Sequence, residues 1–403
     1  MNGNATRAKI PWTLGVAPLD ADRLLLEAAQ KAGPQTVDRE FETALKTLVQ
    51  ALNEEAELGL VGQMAARQHL RELLETRFRL LELWQHQPAI QAAPVLPQIF
   101  LTGLPKTGST FLHRLLALDP DNRVPRMWEV MLPLPPPDRA SAATDDRIRR
   151  AQNRLRWLNW IHPKLVRAHP VGAALPQECG ALLGYTLESS VFLDMFTVPS
   201  YESWLRSRDL GNAYRFHAQL LQHLQWHSPA DRWVLKSSDH LYALKALLKT
   251  YPEALFVFLH RDPLRVLQAA CSQMALLKRV FSRQVDFEKL GGYESGCLHD
   301  KIELILEFRA SHPQLEERIV DVRYQDLAED PVATVRRIYE RFGLRLTDAA
   351  AARMAAFAAA ERGGNRTDTF PLGAFSLDPD RRSPHFELYR ERFALEREEL
   401  RDR

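Results

Sequence analysis

Gln98-Ile99-Phe100-Leu101-Thr102-Gly103-Leu104-Pro105-Lys106-Thr107-Gly108-Ser109-Thr110 is the stretch that decides how this chain folds. It opens with a short apolar run, Gln98–Thr102, of strand length. A turn with two glycines follows, and then a helical stretch over Thr110–Leu118. In a strand–turn–helix unit the backbone N–H groups of the turn and of the first helical residues lack partners, so they form a cradle for an anion. Ser109 and Thr110 add hydroxyl donors, and Lys106 brings a mobile positive charge.

Working outward, similar short runs occur at Trp233–Lys236, Leu255–His260 and Ile319–Val322. Each is almost continuously apolar, and helical patterns separate them. Strands buried on both faces of a parallel sheet read this way. The alternation predicts a three-layer, P-loop-like α/β fold with a central parallel sheet of about five strands and ligands at the strands' carboxyl ends. Residues 1–93 form a helical N-terminal region: Leu24 to Ala29, Phe41 to Leu52 and Leu70 to Leu81 carry apolar residues at helical spacing. Asp20 and Asp38 are N-cap candidates, and Gly33-Pro34 separates the first two helices. Residues 94–403 form the α/β domain with C-terminal helices, predicted over Pro331–Phe342, Asp348–Ala360 and a charged final segment. The proline-rich stretch Met131–Asp138 reads as an extended connection.

Composition excludes several classes. Of 403 residues, 45% are hydrophobic and 26% charged, as in ordinary folded proteins. The net charge of +2 gives no electrostatic basis for nucleic acid or an anionic membrane as partner. Three cysteines, Cys179, Cys271 and Cys297, have no metal-site spacing and favour a reducing compartment. No apolar stretch approaches the roughly 18 residues of a membrane span, and the first residues lack a signal-peptide core. The expectation is a soluble, cytoplasmic protein. No His/Asp/Glu cluster has metal-ligand spacing, so no metal is expected.

The phosphate loop of nucleotidases reads GxxxxGK(S/T), its lysine reaching the β/γ-phosphates beside magnesium. Here Gly103 and Gly108 keep the spacing, but Ser109 occupies the lysine position and Lys106 lies three residues earlier. A lysine in mid-loop suits a bridging oxygen on a shorter phosphate chain. At this point the chain resembles the sulfotransferases that use 3′-phosphoadenosine 5′-phosphosulfate (PAPS), whose first motif is PKxGTT or PRTGTT. It is most similar to a bacterial branch reading GLPRTGTTLLHRLLALDP, then R-x-P-x-x-WE and P-x-PPP. This chain has GLPKTGSTFLHRLLALDP over Gly103–Pro120, then Arg123, Pro125, Trp128-Glu129 and Pro133 to Pro137. Pro176 to Cys179, Trp233 to Ser237, His260 to Pro263 and Tyr324 to Pro331 match in order, so the resemblance spans about 98 to 345.

The resemblance implies roles for particular residues. Lys106 would contact the bridging oxygen and the sulfuryl group. Thr107, Gly108, Ser109 and Thr110 would hold the 5′-phosphate, and Phe111 would lie against adenine. Arg261 would grip the 3′-phosphate, a task suited to a planar guanidinium. Tyr324 would lie near adenine, and Lys236 near the transferred sulfuryl group. The family's second 3′-phosphate ligand, a serine eight residues after the arginine, is Ala269 here. Ser272 lies one turn on, about 4.5 Å further along the axis. The late loop lacks the family's HRYS-like sequence and offers Arg366 instead.

Glu129 is the expected base, since a glutamate from this region serves as base in the branch acting on tyrosine and sugars. His169 and Glu178 compete with it, and pairing with Arg123 or Arg126 is its structural alternative. His113, His162 and His240 carry less information; His113 fits packing or surface. The expected reaction is sulfuryl transfer from PAPS to a hydroxyl or amine of a small-molecule acceptor. Other readings are a P-loop nucleotide kinase or nucleotidase, which would bind ATP with magnesium, and a nucleotide-binding protein without turnover.

Overall fold

The computed structural model describes residues 17–161, 171–281, 284–361, 370–382 and 386–400. Its sheet has five strands: β1 (Gln98–Gly103), β2 (Asn122–Arg123), β3 (Arg232–Lys236), β4 (Leu255–His260) and β5 (Ile319–Arg323), in the order β2-β3-β1-β4-β5. Every pairing is parallel. Side chains alternate across each strand, and both faces are covered. Phe100, Trp233, Leu235, Phe256 and Phe258 enter one apolar cluster; Ile99, Leu101, Val234, Val257 and Leu259 enter another on the opposite face. Double coverage explains why these strands read as almost continuous apolar runs.

The aromatic face carries the N-terminal helices. These are α1 (Ala21–Ala32), α2 (Arg39–Glu54), α3 (Leu60–His86) and the short α4 (Ala89–Ala92). Asp20 and Asp38 cap α1 and α2 by accepting the N–H groups of Arg23 (2.7 Å) and Phe41 (2.8 Å). Gly33, at φ 80°, ends α1. Leu45, Leu74 and Phe78 of these helices belong to the same cluster as Phe100 and Phe256. The opposite face is covered by α5 (Ser109–Leu116) and by the helices Pro331–Arg341 and Asp348–Glu361. No helix among the described residues is long and apolar enough to cross a membrane.

Two findings differ from the sequence reading. The fifth strand, which no apolar run announces, is the two-residue edge strand β2, and Trp128-Glu129 lie beyond it in a helix. Residues Met127–Met131 form a short helix, α6, because Glu129 accepts the N–H of Arg126 at 2.9 Å and closes its N-terminus. The C-terminal segment is also more than a charged helix. Arg390, in the helix Glu387–Phe393, makes a fully buried ion pair with Asp262 at 2.7 Å. His260 ends β4 between Tyr389 (2.6 Å) and Asp321 (2.9 Å), stacked on Phe393. The tail is thereby locked onto the carboxyl end of β4.

Candidate functional site

Four strands deliver chemistry to one edge of the sheet. Lys106 follows β1, Lys236 ends β3, Arg261 follows β4 and Tyr324 follows β5. Parallel pairing sets them side by side, with Leu101 opposite Lys236 and Gly103 opposite Leu259. Gly103, at φ 118°, is required by that close approach: a Cβ there would overlap the Leu259 carbonyl oxygen and come within 2.8 Å of its nitrogen. Gly108, at φ 84°, starts α5, and a Cβ on it would lie 3.1 Å from Leu327 and 3.3 Å from Tyr324. Lys106 itself has φ 62°. A non-glycine residue in that region costs about 1 kcal/mol or more, a cost that clusters at functional sites.

The backbone N–H groups of residues 106–111 find no acceptor among the described residues. The Thr107 hydroxyl is spent on the Leu104 carbonyl (2.9 Å), which braces the loop. Lys236 donates to the Thr110 hydroxyl (3.1 Å) and is paired tightly with Glu178. Beneath it His113 is buried, bonded to the Val234 carbonyl at 3.1 Å; burial lowers it to about 4, so it is neutral packing. Lys106 is lowered to about 8 by burial and the nearby charge of Lys236, against the pull of Glu178 and with a further push from Arg261. The arrangement asks for an anion.

Arg261 lies over the Tyr324 ring, 3.7 Å from its centroid, and donates to the Lys106 carbonyl at 3.1 Å. Its fork is held by Glu398 at 2.7 and 2.9 Å. A carboxylate thus occupies the arginine expected to hold a phosphate. Phe111 stacks on Phe357 at 5.8 Å, beside the Arg114–Glu361 ion pair (3.0 Å). Ser272 borders the same cavity, but its hydroxyl donates to the Gln268 carbonyl (2.8 Å) and accepts the Phe370 N–H (2.9 Å). Arg366, His162 and His169 lie outside the described residues.

Glu129 is not brought to this site. It is buried, accepts from Arg123 at 3.0 Å with one oxygen and from the Arg126 N–H with the other, and borders no part of the cavity. The structural alternative is the one realised. Glu178 does reach the cavity, where Lys236 engages it. So does His240, four residues after Lys236. It is fully buried, its Nδ1 is 2.7 Å from the Tyr214 hydroxyl, and its Nε2 has no partner. Burial lowers it to about 4, opposed by Asp239 and Glu178, so it is neutral at pH 7.

The cavity measures about 770 Å³. Its lining includes Lys106, Lys236 and Arg261 around the loop, and also Leu183, Leu193, Leu205, Leu276 and Leu277. Sequence reasoning missed Glu398 and the Phe357–Glu361 side of the mouth. Neither carries a motif, and both come from helices or tails far along the chain.

The family model described as "Sulfotransferase family" matches residues 97–348, more than half of the chain. The curated protein "Omega-hydroxy-beta-dihydromenaquinone-9 sulfotransferase Stf3" of Mycobacterium bovis and of Mycobacterium tuberculosis is 24% identical over 267 residues. The match covers 62% of this chain and 63% of that protein, so the chain spans less than two thirds of the length of these curated relatives. Among solved structures, sulfotransferase STF1 of Mycobacterium tuberculosis superposes with a TM-score of 0.79 at 30% identity, covering 94% of this chain and 99% of that one. STF9 of Mycobacterium avium gives 0.81 at 25% identity, covering 95% and 98%. With its loop lysine displaced from the nucleotidase position and its strands converging on an anion cradle, this chain belongs to the sulfotransferase family.

Proposed function

We propose that the protein transfers a sulfuryl group from PAPS to a hydroxyl of a small-molecule acceptor. The observation that carries this reading is the pairing of Lys106 and Lys236 at the ends of β1 and β3 with a loop whose N–H groups have no partner. The name of the curated relatives specifies an omega-hydroxy acceptor, which supports an alcohol. PAPS, when bound, supplies the activated sulfuryl group and a 3′-phosphate.

The residues present fit such a donor. The N–H groups of residues 107–110, with the Ser109 and Thr110 hydroxyls, hold the 5′-phosphate. Arg261 holds the 3′-phosphate after exchanging Glu398 for it, and Phe111 and Tyr324 border the nucleoside. Lys106 and Lys236 neutralise charge that builds on the sulfuryl oxygens and on the departing phosphate oxygen. His240 accepts the acceptor's proton at Nε2. For that its Nδ1–H must donate to Tyr214, which fixes the tautomer. An oxygen–sulfur bond to the acceptor forms, the sulfur–oxygen bond to the 5′-phosphate breaks, and its electron pair stays on that phosphate.

Sulfated product, sought by mass spectrometry after incubation with PAPS and a panel of alcohols, tests the reading. His240→Asn is expected to keep adenosine 3′,5′-bisphosphate binding and to lose most turnover, while Glu129→Gln keeps turnover if it folds. Full activity in His240→Asn would remove the histidine from the mechanism.

A further inference from the structure

Two arginines that line the cavity, Arg261 and Arg265, meet at one carboxylate, Glu398 of the tail. Arg261 takes both of its oxygens, Oε2 at 2.7 Å through Nη2 and Oε1 at 2.9 Å through Nε. The same Oε2 lies 3.9 Å from Arg265 Nε, within reach of the charge but too far for a hydrogen bond. Asp262, between the two arginines in sequence, is engaged elsewhere: its Oδ1 takes Arg390 at 2.7 Å and its Oδ2 the Glu398 N–H at 2.9 Å. Arg261 is fixed from two further directions, by the Lys106 carbonyl and by the Tyr324 ring.

Arg265 sits in the first turn of the helix Pro263–Phe281. Arg265, Ala269 and Ser272 follow at i, i+4 and i+7, so they share a face of that helix, and all three border the cavity. Ala269 offers only a methyl group, and the Ser272 hydroxyl is spent on the Gln268 carbonyl and the Phe370 N–H. Arg265 is the member of this face with N–H donors suited to an anion. Helical side chains lean toward the N-terminus, which carries the guanidinium of residue 265 toward Arg261. Its side chain is only 6% exposed and is steadied by donating to Gln268. A carboxylate has two oxygens, and Arg261 uses both. A phosphate monoester brings three oxygens and close to two charges, so it fills the Arg261 fork and still presents an oxygen to Arg265.

We infer that Arg265 is a second ligand of the donor's 3′-phosphate, and that the Arg261–Arg265 pair makes the site select a nucleotide phosphorylated at that position. Glu398 marks where the anion sits between the two arginines. The inference rests on the proposed use of PAPS, which supplies the 3′-phosphate.

Calorimetric titration of the full chain with adenosine 3′,5′-bisphosphate and with adenosine 5′-monophosphate tests this, because the two probes differ only in the 3′-phosphate. The wild type should prefer the bisphosphate by about tenfold or more. Arg265→Gln should remove most of that preference and leave affinity for the monophosphate unchanged. Arg265→Lys keeps the charge but not the planar fork, so it should lose several-fold of the preference and serves as the test if Arg265→Gln does not fold. An undiminished preference in the variants that fold would overturn the inference and leave the donor reading intact. Equal weakening of both probes would also overturn it, since Arg265 would then only shape the helix. No preference in the wild type would defeat the donor reading itself, and the inference with it.

Discussion

Lys106 has a left-handed backbone, a half-buried side chain and two cationic neighbours, Lys236 and Arg261, all of them unfavourable. An anion at the loop relieves the electrostatic part, which ties affinity to pH. The free lysine titrates at about 8 and a bound phosphate raises that value, so the contribution is complete below about 8 and is lost as pH rises past it. Affinity for adenosine 3′,5′-bisphosphate should therefore weaken above pH 8 by up to about tenfold per pH unit, and a flat profile to pH 10 in calorimetry would contradict the assignment. Lys106→Ala should lower turnover by about 10²–10³-fold, measured with PAPS under saturating acceptor. Glu398 makes the opposite kind of contribution. Its carboxylate occupies the fork of Arg261, the group proposed to hold the 3′-phosphate, and the two anions would compete for it. Glu398→Gln should tighten bisphosphate binding several-fold, whereas weaker binding would show that Glu398 positions Arg261 rather than competing for it.

At the level of elements, the carboxyl end of β4 is where the tail meets the site. Asp262 takes Arg390 through its Oδ1 and the Glu398 N–H (2.9 Å) through its Oδ2, so one buried carboxylate organises helix and tail together. Arg390→Leu strands that carboxylate and should cost about 3–5 kcal/mol in urea unfolding. A cost below about 1 kcal/mol would mean the pair is dispensable. The same region shows what a sequence can and cannot reveal. β1, β3, β4 and β5 are legible because burial on both faces makes each an almost continuous apolar run, and the loop is legible because its glycines keep fixed spacing. β2 is not, since two residues carry no periodicity. Glu129 misleads because a resemblance carries a residue's place in the motif but not its partners, and the Arg123 that engages it lies six residues earlier. Glu398 is invisible from Arg261, 137 positions away, because an ion pair between distant segments leaves no local pattern.

Across the whole molecule, the sheet sets the direction of the chemistry. Its strand order turns at β1, with β3 and β2 on one side and β4 and β5 on the other, and ligands of open parallel sheets bind at such a point. The aromatic face, covered by the N-terminal helices, and the aliphatic face, covered by α5 and the C-terminal helices, hold that edge rigid. One cavity is lined both by the cation-rich loop and by a group of leucines, which is what the proposed transfer between a charged donor and a less polar acceptor asks for. The displaced lysine separates this design from that of a magnesium-dependent nucleotidase. Calorimetric titration of the full chain with adenosine 3′,5′-bisphosphate and, separately, with ATP and magnesium reads that difference directly. The account predicts that the bisphosphate binds equally well with and without EDTA, and more tightly than ATP–Mg²⁺; tight binding of ATP–Mg²⁺ with no binding of the bisphosphate would contradict it.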